Sequence, residues 1–338
     1  MIVGILLIII VFILVFLFIY TVSNFLFFPP RQPLTRHPED YGLPFEDISF
    51  LSTDRLVLQG WWIPGNSSNR AVILVHPFSG NRHGLSARQS LWPNSFRIDV
   101  DLLRFAQVFN ENNWTVLLFD LRSHGESPRK LCGGGLTEDQ DVIGAVDYTF
   151  ARLVSDHPDG QKPQVCVVGF GLGAAATLVA VGRVKGKAEK MLVFTGDMEG
   201  GAGWTEIQPP NIKLLSSVII VQPVSSANLL HSYLERIFPK LGMLVPLVDR
   251  LCQARGGYPL DGNLLIKAAR AVYLPVLVVR PRLLSKRLDL EMQLVYEALA
   301  GTKQIEWIEG SLDLLEVYQK IIDDPQPIID YASKINKN

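Results

Sequence analysis

The residues best placed to do chemistry lie at one turn, Val167-Val168-Gly169-Phe170-Gly171-Leu172-Gly173-Ala174. An apolar β-type segment, residues 164–168, precedes it, and a small-residue helical pattern, residues 174–181, follows. A strand–turn–helix junction of the form G-x-S-x-G exposes a serine hydroxyl for covalent catalysis, with the next backbone N–H forming half of an oxyanion hole. Here the middle position is Gly171, which has no hydroxyl. The same residues also fit G-x-G-x-x-A, a turn that cradles a dinucleotide pyrophosphate. On that reading 191–194 is the next strand, and Asp197, 26 residues beyond Gly171, is the ribose-binding acid. A third reading is structural: small residues let a helix pack closely on a sheet.

Other reactive side chains are few. Ser79 and Ser127 lie in turns close in sequence to His76, His83 and His124, a set from which a relocated hydrolytic centre could be drawn. The six histidines are His37, His76, His83, His124, His157 and His231, so none follows His231. Cys132, Cys166 and Cys252 have no metal-ligand spacing. No metal or other cofactor is expected. Arg280 and Arg282 are a candidate anion site or a solvated loop. Trp61 and Trp62 read as core or pocket-rim packing.

The elements that must position these residues follow from hydrophobic period. Residues 47–52 and 56–63 are β-type runs separated by Thr53-Asp54-Arg55, which predicts a hairpin. The runs at 71–76 and 114–120 read as strands buried on both faces, and those at 164–168, 217–221, 274–280 and 304–308 read as further strands. Helical periods occupy 101–112, 138–154, 286–299 and 312–322. Alternating strands and helices imply a mostly parallel sheet with helices on both faces. Two stretches, 185–213 and 228–263, break the rhythm and read as insertions, the second a helical cap. The expected organisation is an anchor (1–28), a linker (29–44), one α/β domain (45–323) and a C-terminal tail (324–338).

Residues 2–28 contain no charge and are mostly Ile, Leu, Val and Phe. About 20 apolar residues span a bilayer core. No basic residue precedes Arg31 and no small-residue cleavage pair closes the run, so an uncleaved anchor is expected rather than a signal peptide. Arg31 and Arg36 lie on its C-terminal side, which puts the main domain in the cytoplasm by the positive-inside rule. Three cysteines cannot all pair with one another, which agrees with a reducing compartment. Asn66-Ser67-Ser68 and Asn113-Trp114-Thr115 match a glycosylation sequon and argue the other way. The chain has 338 residues, 48% of them hydrophobic, and a net charge of -1, so bulk electrostatics favour no nucleic-acid partner. A protein partner is not readable from the sequence.

Four places together resemble the α/β-hydrolase superfamily, specifically its membrane-anchored serine-aminopeptidase or acyl-hydrolase type. Val72-Ile73-Leu74-Val75-His76-Pro77-Phe78-Ser79-Gly80-Asn81 looks like the strand and oxyanion turn. Phe119-Asp120-Leu121-Arg122-Ser123-His124-Gly125-Glu126-Ser127 looks like the D-x-R-G-H-G-x-S segment, with Ser123 for one glycine. The turn at Gly171 looks like the nucleophile elbow. Residues 275–280 and Trp307-Ile308-Glu309-Gly310 resemble the strands that deliver the acid and the histidine.

The resemblance implies an α/β-hydrolase fold with an N-terminal antiparallel hairpin and a cap, preceded by one transmembrane helix. It also implies a triad in the order Ser, acid, His. The serine position is Gly171, the acid turn is Pro281-Arg282-Leu283-Leu284-Ser285 with Leu284 at the acid's position, and Asp313 holds the histidine's place. His76, Phe78 and Leu172 would then line a vestigial oxyanion pocket, able to take a small apolar or acyl ligand, and Asp120 and His124 would be structural. Losing the serine or the histidine alone costs on the order of 10⁶ in rate in a serine protease. The expectation is a catalytically inactive homologue.

Overall fold

A computed structural model describes residues 2–66, 69–86, 99–156, 162–183, 191–195, 203–207, 211–238, 240–256, 258–260, 262–282, 284–310 and 314–334. Helix α1 (Ile2–Phe27) comes first, apolar on every face, with a mean hydropathy of 3.7 across its candidate span. It is long and apolar enough to cross a membrane. The domain then begins with the predicted hairpin, β1 (Glu46–Leu51) and β2 (Val57–Ile63), paired antiparallel. Next come β3 (Arg70–Val75) and a small ribbon of β4 (Gly84–Leu85) with β5 (Val100–Asp101). Helix α2 (Leu102–Glu111), β6 (Thr115–Phe119) and α3 (Asp139–Asp156) lead to β7 (Gln164–Phe170) and α4 (Leu172–Arg183).

Strands β8 (Met191–Thr195) and β9 (Gly203–Ile207) pair with each other outside the main sheet. Strand β10 (Ser217–Val221) is followed by α5 (Ser226–Ile237) and α6 (Val245–Gly256), within the stretch read as a cap, and then by α7 (Asn263–Ala269), which packs on the main core. The chain closes with β11 (Val276–Pro281), α8 (Lys286–Ala298), β12 (Lys303–Ile308), α9 (Leu314–Asp323) and α10 (Gln326–Lys334).

The main sheet has eight strands in the order β1-β2-β6-β3-β7-β10-β11-β12, with β2 antiparallel to its neighbours and the rest parallel. This is the expected α/β fold. Strands β3, β6, β7 and β10 are almost wholly buried because helices cover both faces, which explains their unbroken apolar runs. One core lies under α3, α4 and α7, and the other under α2, α9 and α10. Residues 324–338, expected as a tail, instead carry α10, which buries Ile328, Ile329, Tyr331 and Ala332. Their apolar spacing is helical, but Pro325 and Pro327 disguised it as the end of the domain.

Candidate functional site

The elbow forms where β7 meets α4. Gly171 has φ +51°, in the left-handed region where a Cβ is strained. Its N–H donates to the Val221 carbonyl at 3.0 Å, and its own carbonyl accepts from Ala175 N–H at 2.9 Å, starting α4. The small-residue pattern has a packing cause: a Cβ on Gly173 would stand 2.3 Å from the Val75 carbonyl oxygen. The space a nucleophile would enter is taken. A Cβ on Gly171 would lie 2.6 Å from the Tyr318 hydroxyl and 3.8 Å from Pro77 Cβ. Tyr318 comes from α9, is 5% exposed, and sets its ring edge-on to Phe170 at 5.6 Å. Sequence reasoning missed it, because nothing local marks a helical tyrosine as the occupant of a turn 147 residues earlier.

Leu172 opens α4, so its N–H is one of the donors that a helix N-terminus leaves free. Phe78 sits in the turn closed by Gly80 N–H on the Pro77 carbonyl at 3.1 Å. Its ring meets His124 at 5.9 Å and Phe25 of α1 at 5.6 Å, so the end of the apolar helix reaches the oxyanion turn. Ser79, in the same turn, is buried with φ +60°.

The three neighbouring histidines are buried. His76 Nε2 accepts from Leu121 N–H at 3.1 Å, which leaves Nδ1–H to donate to the Pro77 carbonyl at 2.8 Å. That is a neutral tautomer held by backbone at both nitrogens. His124 Nδ1 lies 2.8 Å from the Arg122 carbonyl, and its ring packs on His76 at 5.0 Å. Burial, and for His76 also the nearby His124, pushes both imidazoles below their ordinary range. His83 is lowered for the same first reason.

Asp120 anchors the loop after β6. It accepts from Arg82 N–H at 2.7 Å, from the Arg82 guanidinium at 2.9 Å and from Glu126 N–H at 2.9 Å. Burial raises its carboxyl to about 6 against the pull of Arg82. Ser127 Oγ donates to the Asp120 carbonyl at 2.6 Å and accepts from Gln59 N–H at 3.0 Å, so its hydroxyl is a loop tie. Arg122 clasps Asp141 at 2.6 Å and Asp54 at 2.9 Å, joining the loop to α3 and to the hairpin turn.

On the acid side, β11 ends at Pro281. Leu284 packs with Val224, Leu288 and Met292. The anion site considered for Arg280 and Arg282 is corrected: both guanidiniums already have partners. Arg280 is buried on Gln293 (2.9 Å) and Asp289, Arg282 pairs with Glu309, and both cover the Trp307 ring. Asp313 lies outside the described residues. A polar side chain that the sequence did not signal is Gln222, at the end of β10, with φ +52°. It is fully buried, and neither amide atom has a hydrogen-bond partner among the described residues.

Among the described residues, one cavity of about 400 Å³ lies beside β12 and α10, and one of about 420 Å³ lies between α4 and α7. Neither is lined by Gly171, His76 or Phe78. The dinucleotide reading also loses its second strand: Met191–Thr195 pairs with β9 and does not follow β7 in the parallel sheet. Asp197 lies outside the described residues. Among the described residues no cluster of His, Cys, Asp or Glu could hold a metal.

The strand order, the elbow and the Asp120 loop define an α/β-hydrolase, and the model of the alpha/beta hydrolase family matches residues 72–311. The chain belongs to that family. It is similar to the esterase Pf2001 of Pyrococcus furiosus, with a TM-score of 0.58 at 19% identity, covering 92% of this chain and 97% of that one. The alpha/beta hydrolase GrgF of Penicillium sp. sh18 has a TM-score of 0.51 at 17% identity, covering 86% and 99%. Among curated proteins, the uncharacterized protein YfhR of Escherichia coli is 27% identical over 164 residues, 47% of this chain and 48% of that protein. A polyketide transferase, ATR5, of Stachybotrys chlorohalonatus is 26% identical over 137 residues, 40% and 39% of the two chains. The chain spans less than half the length of these curated relatives.

Proposed function

We propose that this is a membrane-anchored α/β-hydrolase homologue without serine-hydrolase activity at its elbow, acting by binding. The observation that carries this reading is the Tyr318 hydroxyl in the volume a nucleophile would occupy, 2.6 Å from a Cβ on Gly171. The residue types agree: Gly171 has no hydroxyl, Leu284 stands at the acid turn, and no histidine follows His231 to act as base. A turn that no longer presents a nucleophile gains from glycine, which removes about 1–3 kcal/mol of backbone strain. Helix α1 is the anchor, and Arg31 and Arg36 on its domain side orient the domain to the cytoplasm. Arg255, 2.9 Å from Ser23, adds a third positive charge on that side.

A fluorophosphonate probe tests the loss of chemistry. The full chain in detergent is expected to remain unlabelled, and Gly171→Ser is expected to remain unlabelled too, since no base is supplied. Covalent labelling of the wild type removes the reading. A second reading, an active ester or acyl hydrolase with a relocated nucleophile, rests on Ser79, a buried non-glycine residue held at φ +60° in the oxyanion turn. Ester turnover lost in Ser79→Ala would favour it, and no turnover across an acyl-ester panel would count against it.

A further inference from the structure

Helix α1 does not simply leave the domain. Its last turns pack on the cap: Ile19 and Phe27 share a core with Leu230 and Leu234 of α5 and with Val245, Val248 and Cys252 of α6. The direction of that packing is fixed. A Cβ on Gly256 would stand 2.8 Å from the Phe27 ring, and Cys252 Sγ lies 3.5 Å from Ser23 Oγ. Moving toward the start of α6 therefore moves toward the start of α1, and the two helices run parallel. Arg255 marks one level on this pair. It donates to Ser23 Oγ at 2.9 Å and to Asn24 Oδ1 at 3.3 Å, and lies over the Tyr20 ring at 4.7 Å. A guanidinium, two polar side chains and a tyrosine at one height are what a bilayer's headgroup zone accommodates.

From that level α6 continues toward Val245. Ten residues of helix rise about 15 Å. Alongside, α1 turns Val15 and Phe18 onto the cap and leaves Phe16 and Leu17 exposed, by 59% and 51%. The tip of the cap at this end exposes Ile237 (50%), Phe238 (62%), Met243 (73%) and Leu247 (42%). Exposed apolar side chains grouped in this way mark an interaction surface. By the register of α6 on α1, this surface stands farther along α1 than Arg255.

We propose that the tip of the cap, Ile237, Phe238, Met243 and Leu247, is immersed in the same bilayer leaflet that α1 enters, so that the domain is docked on the membrane through its cap and not merely tethered to it. The occupant of this surface is lipid. At the height of Phe16 and Leu17 the outward side of α1 faces hydrocarbon, and the cap packed against its other side stands at the same depth. Among the described side chains, the exposed charges flanking the patch are Glu235, which lies beside His231 at 3.2 Å, Lys240 and Arg250. A long basic side chain at this position reaches up to the headgroups while its stem stays in the apolar layer. The inference rests on α1 being the anchor.

The test uses the full chain in phosphatidylcholine vesicles, with an environment-sensitive nitrobenzoxadiazole label on Met243→Cys and, as control, on Glu111→Cys, which is exposed at the far end of α2. The native cysteines are all buried, so labelling reports the introduced site. Resistance to alkaline carbonate extraction reads the anchor separately. The expected result is a carbonate-resistant protein whose Met243 label is blue-shifted and loses most of its emission to doxyl-labelled phosphatidylcholine, while the Glu111 label is quenched only by aqueous iodide. Phe238→Asp combined with Leu247→Asp should abolish the lipid quenching and keep carbonate resistance. A carbonate-resistant protein whose Met243 label answers to iodide overturns the docking and leaves the anchor standing. A label shielded from both quenchers means that protein covers the tip, and also overturns it. Release by carbonate overturns the anchor reading, and the docking with it.

Discussion

The Asp120 loop and the elbow lie at the ends of neighbouring parts of one sheet, and they have been treated differently by the same family pattern. In the loop, the Asp120 carboxylate takes three donors and Ser127 is tied at both its hydrogen and its lone pair. Arg122 is bound to two carboxylates. At the elbow the backbone geometry persists, with φ +51° at Gly171 and α4 starting one residue later, but the reacting atom is missing and a tyrosine fills its place. A structural network cannot lose a member cheaply, because the partners left behind are buried polar groups. A nucleophile's hydroxyl has no such dependants, so the backbone turn at Gly171 holds its shape without one.

This contrast can be broken in order of effect. Asp120→Ala should cost about 3–5 kcal/mol in chemical denaturation, since it strands the buried Arg82 guanidinium and two backbone N–H groups. A loss below about 1 kcal/mol, the scale of an exposed pair, would show a loop that adapts and would remove the contrast. Gly171→Ser should cost about 1–3 kcal/mol, from positive φ and from collision with Tyr318. The collision component is separable. In a double-mutant cycle with Tyr318→Phe, part of the cost should be recovered, with a coupling of about 0.5–3 kcal/mol. Simple additivity would mean that the hydroxyl does not fill the space.

The pH dependence is smaller. His124 is depressed below 6.5 by burial, so the folded state resists its protonation while the unfolded state does not. Its contribution to stability is fully present above about 6.5 and is lost as the pH falls below that value. Wild type should therefore lose up to about 1.4 kcal/mol per pH unit relative to His124→Phe, which has nothing to protonate there. A stability difference that stays constant from pH 7.5 to 5 would show that the imidazole is not shielded as the packing on His76 and Phe78 requires.

Much of the fold was legible because its strands and helices have clean periods. The predicted strand at 217–221 matches Ser217–Val221, and the helix expected over 286–299 runs Lys286–Ala298. The misses have physical causes. Helix α10 was hidden by two prolines at its start. The antiparallel partner of Met191–Thr195 was unreadable because two-stranded pairing leaves no long-range mark in either strand. At the candidate site, His76, Phe78, Leu172, Asp120 and His124 were named from the family pattern. Tyr318, Gln222 and Phe25 were not, since each matters through a neighbour far away in the chain.

The amino-acid order alone determined that Gly171 has no hydroxyl and that no histidine follows His231, and a missing atom is missing in every conformation. It also determined that residues 2–28 are too apolar to be left in water. Only the tertiary structure decided what stands in the empty place and how the apolar helix meets the domain. Those answers depend on which distant surfaces come within van der Waals reach, Tyr318 over Gly171 and α6 along α1, and local sequence does not encode that distance.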